Sequence, residues 1–220
     1  MRFQMNRQAL ILLGSGGHAK VVIDIVEDVG AFEIVGIVSA DGTRQTVLGY
    51  PILGGDDVLV GLAEQGSVSA FVAIGDNKVR ARLLRKIRSL DFSVPSIISS
   101  KAVVSPRARL GSGVAIMPGA VINANTLIED GVIVNTSASI DHDCMLGQFV
   151  HIAPGAHLAG GIVIGEGAFV GAGSTVVRTA TVGAWSVVGA GATVIRSVPD
   201  HAVVVGSPAR LIKTRNRELP

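Results

Sequence analysis

The sequence predicts a two-part chain: a small α/β unit, then a solenoid of short stacked strands. Three observations carry this reading. An aliphatic residue recurs at every sixth position from Val104 through Leu110, Ile116 and Ile122 to Val182, Val188 and Val194. Four places after each comes a small or β-branched residue, from Ala108, Val114 and Ala120 to Ala192 and Val198. Upstream of residue 100, strand-like and helix-like patterns alternate instead.

A period of six matches neither helical spacing of about 3.6 residues nor strand alternation, so residues 100–199 read as a repeat. Each hexad sends one aliphatic and one small side chain inward, and stacking buries a continuous column. Sixteen hexads exceed the roughly three repeats that such stacks need. Glycines that directly follow the aliphatic position (Gly111, Gly147, Gly165, Gly171, Gly183, Gly189) read as tight corners needing a permissive backbone.

The α/β unit spans 8–99, after a short stretch, 1–7, expected to be disordered. Gln8 to Leu13 reads as a buried strand, followed by a glycine-rich loop and a helix through Val29. Glu33 to Val38 is a second strand and Tyr50 to Gly55 a short strand and turn. A helix from Asp56 to Glu64, capped by aspartate, leads to the strand Ser69 to Ile74. Lys78 to Leu90 is an amphipathic helix with its arginines and lysines on the polar side, and Val94 to Ile98 a last strand. At the far end Pro199 breaks the hexad frame. Residues 200–220 read as a cap for the open coil, lending Arg210, Lys213 and Arg215 to a neighbouring site.

Composition narrows the function classes. Hydrophobic residues make up 48% and aromatics only 4%, which suits a narrow aliphatic solenoid. A net charge of +2 without a massed basic face argues against nucleic acid. The single cysteine, Cys144, sits in the small inward register and excludes an internal disulfide framework, with the cytoplasm as the expected compartment. No apolar run of membrane-spanning length or signal-peptide layout occurs, so no membrane insertion is expected.

Two clusters carry chemistry. Gly14-Ser15-Gly16-Gly17-His18-Ala19 follows a strand and opens a helix, where backbone N–H groups meet phosphate oxygens. With Asp41 downstream it imitates a dinucleotide fingerprint, but the unit is too short for two mononucleotide-binding halves. A single nucleotide-linked substrate fits better. The second cluster is His142, Asp143, His151 and His157 within one stretch of repeat. Zinc ligands stacked on one face would recur once per coil, and these spacings of nine and six do not, so no metal is expected. A non-catalytic or metal-binding solenoid remains the rival class.

The GSGGHAK loop, the Asn135-Thr136-Ser137 run, Ile140-Asp141-His142-Asp143-Cys144 and His151-Ile152-Ala153-Pro154-Gly155 together resemble the NeuD/PglD-like sugar acyltransferases. That resemblance implies a Rossmann-like unit followed by a left-handed parallel β-helix with three hexads to a triangular coil. It also implies a homotrimer with acetyl-CoA as co-substrate in a groove between neighbouring coils. Carried over, His142 is the catalytic base and Asp143 the carboxylate that orients it. Asn135 lies near the acceptor sugar, His151 near the thioester, and the Gly160 N–H meets the thioester carbonyl. Ala172 and Ala190 are further cofactor-groove positions. Ser15, Gly16, Gly17 and His18 form the nucleotide-phosphate loop, joined by Asn77 and Arg80.

Where several uridine-nucleotide members carry paired acidic residues, this chain has Ser39-Ala40-Asp41, which departs from the uracil-binding pattern and leaves guanine open, since one carboxylate such as Asp41 can accept from guanine N1–H and N2–H. The resemblance is nearest to enzymes that acetylate the C4 amine of a nucleotide-linked 4-amino-4,6-dideoxy sugar, GDP-perosamine or a UDP-4-amino sugar, for O-antigen and related polysaccharides. O-acetylation of a sialic acid is the alternative.

Overall fold

The computed structural model describes residues 7–40, 45–66, 68–178 and 180–215. Asp41 and residues 1–6 of the N-terminal stretch therefore lie outside the described residues. The α/β domain comprises β1 (Gln8–Leu13), α1 (Gly17–Val29), β2 (Phe32–Val38), β3 (Thr46–Val47), β4 (Tyr50–Gly54), α2 (Leu59–Glu64), β5 (Val68–Val72) and α3 (Asn77–Ser89). Its sheet has the order β3-β4-β2-β1-β5, parallel apart from the β3–β4 hairpin. Asp56 does not cap α2: a 3₁₀ turn, Asp56–Val58, precedes the helix, and the Asp56 carboxylate instead faces Arg82 at 3.4 Å and Lys86 at 3.9 Å.

Successive side chains of a strand point to opposite faces, and β1 uses both. Leu10 and Leu12 pack with Ala19, Val22, Ile23 and Val26 of α1. Ile11 and Leu13 pack with Ala81, Leu84 and Ile87 of α3. Both layers run on into the solenoid, the first through Ile97, Ala115, Met117 and Ile133, the second through Phe149. The two domains thus share core.

Up to Val194 the solenoid strands pair in parallel at a spacing of eighteen residues, as Val121 with Ser139 and Ile133 with His151. Three hexads make one coil, and the strands form three sheets. The first face carries Ala115–Ile116, Ile133–Val134, His151–Ile152, Phe169–Val170 and Val187–Val188. The second carries Val121–Ile122, Ser139–Ile140, His157–Leu158 and Thr175–Val176. The third carries Leu127–Ile128, Met145–Leu146 and Val163–Ile164. Both inward registers fill one core, including Cys144.

Three sequence expectations are corrected here. Ile97–Ile98 is not the last strand of the α/β sheet; it pairs with Ala115–Ile116 and starts the first face. The hexad frame breaks near Pro199, yet the stacking does not end there: Ala202–Val205 extends the first face with a step of sixteen, Val187 to Val203, and Arg210–Thr214 folds back antiparallel on it. The glycines after the aliphatic position are needed for close approach and not for turning. A Cβ at Gly165 would lie 2.5 Å from the Ala184 nitrogen of the next coil. The left-handed turn falls two residues later, at Gly155, Gly161 and their equivalents.

Candidate active site

The glycine loop forms a cavity of about 420 Å³ at the carboxyl ends of β1, β2 and β5, where the chain departs to opposite sides of the sheet. Such a switch point is where open α/β sheets bind ligands. Gly16 precedes the 13-residue α1 without any side-chain cap, and no acidic residue occupies its first turn. The helix end therefore presents free N–H groups and positive potential to an anion. A Cβ at Gly16 or Gly17 would meet nothing within 4 Å, so both face the open cavity. Ser15 is buried, its hydroxyl 2.7 Å from that of Ser39. His18 lines the same cavity with its Nε2 buried and unpartnered. Burial, then the nearby Arg80 charge, lowers its pKa to about 4.

Asn77 and Arg80, expected beside the phosphates, are spent elsewhere. The Asn77 amide donates to the carbonyls of Gly167 and Ala168 at 3.0 and 3.1 Å. Arg80, only 1% exposed, donates to Gly131 O and Phe149 O, both at 2.7 Å, to Ile74 O and Gly75 O, and to Asn77 Oδ1. Burial lowers its pKa to about 9, yet it remains a cation at neutral pH. These two residues rivet α3 to the solenoid, and helical periodicity alone could not distinguish that inward arginine from its solvated neighbours. Arg85, 5.2 Å over the Phe149 ring, and Arg88, 2.8 Å from Asp130, reinforce the joint.

The second part lies on the corner between the second and third faces. His142 Nδ1 is 2.6 Å from Asp143 Oδ2, with both side chains exposed. The hydrogen bond from His142, then that from Asn125, holds the Asp143 carboxyl below its usual range. An ionised carboxylate only accepts, so Nδ1 carries a proton, and in the neutral form of the ring the lone pair is on Nε2. Asp143 occupies the left-handed turn position, φ 61°, a conformation aspartate tolerates better than most residues. One coil upstream, Asn123 and Asn125 donate to Asp141 and Asp143 at 3.0 and 3.3 Å, and Asp141 accepts from the His142 N–H at 2.8 Å. Sequence reading missed this buttress; its signal is the recurrence of polar residues at a spacing of eighteen. Gly160, one coil on, sits against the imidazole: a Cβ there would lie 2.7 Å from His142 Nε2.

Asn135 and His151 form a third part, at the seam with the α/β domain. His151 is 7% exposed, its Nδ1 3.1 Å from Gly75 O and its Nε2 3.1 Å from Asn135 Nδ2. Ala172 and Ala190 are exposed on the corner between the first and second faces, across the second face from Gly160. Within one chain these parts stand apart. The α/β domain covers the first face, whereas His142 projects from the corner opposite it. No group of acidic, histidine or cysteine residues among the described residues is arranged to hold a metal ion.

Residues 9–87 match the PglD N-terminal domain, and residues 143–178 match the bacterial transferase hexapeptide repeat. The fold matches PerB of Caulobacter crescentus, solved with CoA and GDP-perosamine, at 47% identity and TM-score 0.89. That alignment covers 93% of this chain and 97% of the other. The chain belongs to the PglD-like family of hexapeptide-repeat sugar acetyltransferases. Its solenoid is accordingly a left-handed parallel β-helix.

A second PglD-like relative is the acetyltransferase domain of PglB from Neisseria gonorrhoeae, at 38% identity, TM-score 0.88, over 94% of this chain and all of that one. It has also been solved with acetyl coenzyme A. An uncharacterized protein of Acanthamoeba polyphaga mimivirus is 34% identical over 102 residues, 46% of this chain but only 20% of that protein.

Proposed function

We propose that this chain transfers the acetyl group of acetyl-CoA to the C4 amine of a nucleotide-linked 4-amino-4,6-dideoxy sugar, with GDP-perosamine as the favoured acceptor. The observation that carries the reading is the His142–Asp143 pair, which leaves a basic Nε2 beside Gly160 on an exposed corner. The PerB match, with its bound CoA and GDP-perosamine, supports the substrate class. Variants of that enzyme with one histidine changed to asparagine or alanine were also solved with both ligands.

In the proposed mechanism the sugar amine attacks the thioester carbonyl carbon as His142 Nε2 takes its proton. The tetrahedral intermediate then collapses, the C–S bond breaks, and CoA leaves as the thiol with the proton returned by His142. Asp143 stabilises the imidazolium, and the Gly160 N–H serves the oxyanion. General-base assistance of this kind contributes about 10²–10⁴-fold. The nucleotide occupies the cavity over Gly16 and Gly17, with the diphosphate at the N-terminus of α1.

The site is completed in a homotrimer. One chain holds its nucleotide cavity and its His142 on opposite sides of the coil, which supports a base supplied by a neighbouring copy. That copy also turns Gly160 toward the Ala172–Ala190 corner, giving the acetyl-CoA groove two walls. The cytoplasm is the proposed compartment; no helix among the described residues is long and apolar enough to cross a membrane.

The test is CoA release with a GDP-4-amino sugar, a UDP-4-amino sugar and a sialic acid as acceptors. The GDP-sugar should give the highest kcat/KM. Preference for the UDP-sugar would overturn the nucleotide assignment, and turnover of sialic acid alone would replace N- by O-acetylation.

A further inference from the structure

His151 carries an inference that goes beyond the resemblance, which placed it near the thioester. Its ring lies in the seam between the domains, edge-on to Phe169 at 5.1 Å and 6.3 Å from the His18 ring. Nδ1 is 3.1 Å from the Gly75 carbonyl, which only accepts, so Nδ1 must carry hydrogen. The groups facing the ring are the Arg80 cation and neutral His18, and among the described residues no carboxylate is bonded to either nitrogen. Burial and then Arg80 lower the His151 pKa to about 3, so the ring is neutral in the working range. Nε2 is then a bare acceptor, and the Asn135 amide must present its NH₂ group at 3.1 Å. Asn135 Oδ1 is turned the other way, accepting from the Thr136 N–H at 2.8 Å. Each step forces the next.

We propose that His151 is a positioning residue: its Nδ1–H tautomer, set by Gly75, fixes the Asn135 amide toward the acceptor sugar and donates nothing to the thioester. The family resemblance puts Asn135 near the acceptor sugar, and this inference rests on that placement together with the acetyl transfer proposed above. Gly75 lines both the nucleotide cavity and the adjoining cleft of about 540 Å³ beside Trp185. Its carbonyl also accepts from Arg80 at 3.0 Å. The relay therefore connects the wall of the nucleotide cavity to a polar group on the coil. Free imidazole has no such constraint, and the resemblance alone does not reveal the tautomer.

Two measurements test this, the first independent of activity. Imidazole ¹⁵N NMR of the full chain should show His151 protonated at Nδ1 and bare at Nε2, without titrating between pH 8 and about 5. An Nε2–H tautomer, or titration near the ordinary histidine value, overturns the proposal whatever the protein acetylates. The second is a double-mutant cycle on kcat/KM for the amino-sugar nucleotide. A misplaced reacting group costs up to about 10²-fold, and His151→Ala and Asn135→Ala should each approach that loss. Together they should cost little more than either alone, because one acts through the other. The KM for acetyl-CoA should stay within about twofold, and His151→Gln, which keeps a donor and an acceptor, should recover part of the loss. Losses that multiply, or a selective rise in the acetyl-CoA KM, would make His151 a cofactor ligand in its own right.

Discussion

Gly160→Ala is the sharpest probe of how the base is held. The added Cβ would stand 2.7 Å from both Cε1 and Nε2 of His142, and all three nearest heavy atoms belong to that ring. Ordinary contact between such atoms is about 3.5–4.0 Å, so the ring edge must retreat by about 1 Å. It cannot pivot freely, because Nδ1 is tied to Asp143 at 2.6 Å on the other side. Displacement of a reacting group by about 1 Å costs up to about 10²-fold in rate. The fold should not suffer. Gly160 is not in the left-handed region, the ring that must move is exposed, and glycine-to-alanine changes at compatible sites stabilise by about 0.4–1 kcal/mol. Steady-state kcat with saturating acetyl-CoA and amino-sugar nucleotide, paired with a thermal melt, reads the effect. A kcat within about threefold of the parent, with an unchanged melt, would refute the proposed placement of Nε2 at the reacting amine.

Three further outcomes are expected. Gly16→Leu, whose Cβ points into open cavity, should raise the KM for the nucleotide sugar at least tenfold while leaving that for acetyl-CoA unchanged; a parallel rise in both would make the loop a support for the fold. Arg80→Met should lower the stability measured in urea by about 2–6 kcal/mol, about 1–3 for each buried acceptor left unpaired, because it strands the carbonyls of Gly131 and Phe149 that the guanidinium now satisfies; a loss below about 1 kcal/mol would show that the rivet is dispensable. Stability should also fall on acidification. His18 and His151 titrate at about 4 and about 3 in the fold against 6.5 when free. From pH 6.5 down to about 4 the unfolded chain therefore binds protons that the fold refuses. Stability intact above pH 6.5 is lost at about 1.4 kcal/mol per histidine per pH unit, and His18→Gln should halve that slope; an unaltered slope would place the acid-sensitive groups elsewhere.

The sequence made the solenoid legible because its inward positions obey one rule in every coil, and burial leaves an unmistakable period. The glycine corner was located but misread: sequence marks where glycine stands, not whether φ or a neighbouring backbone requires it, as at Gly165. Arg80 was hidden for a related reason. A helix with six basic residues looks solvated all along one side, and only the docked coil turns one of them into an interior clamp. The His142–Asp143 contact could be anticipated from adjacency and resemblance. The asparagines that brace it come from the preceding coil and become visible only once the eighteen-residue stacking is known. His151 was found by its motif, but its tautomer depends on Gly75, seventy-six residues away.

The central claim is that His142 Nε2 removes the proton of the attacking amine. His142→Asn keeps polarity and approximate shape while deleting that nitrogen. With the GDP-4-amino sugar and acetyl-CoA both saturating at neutral pH, kcat should fall by about 10²–10⁴-fold. Isothermal titration should still show both ligands binding, and the melting temperature should hold, since the side chain is exposed. Turnover close to that of the parent, under the same conditions, would mean that the amine loses its proton to solvent and that His142 is not the base.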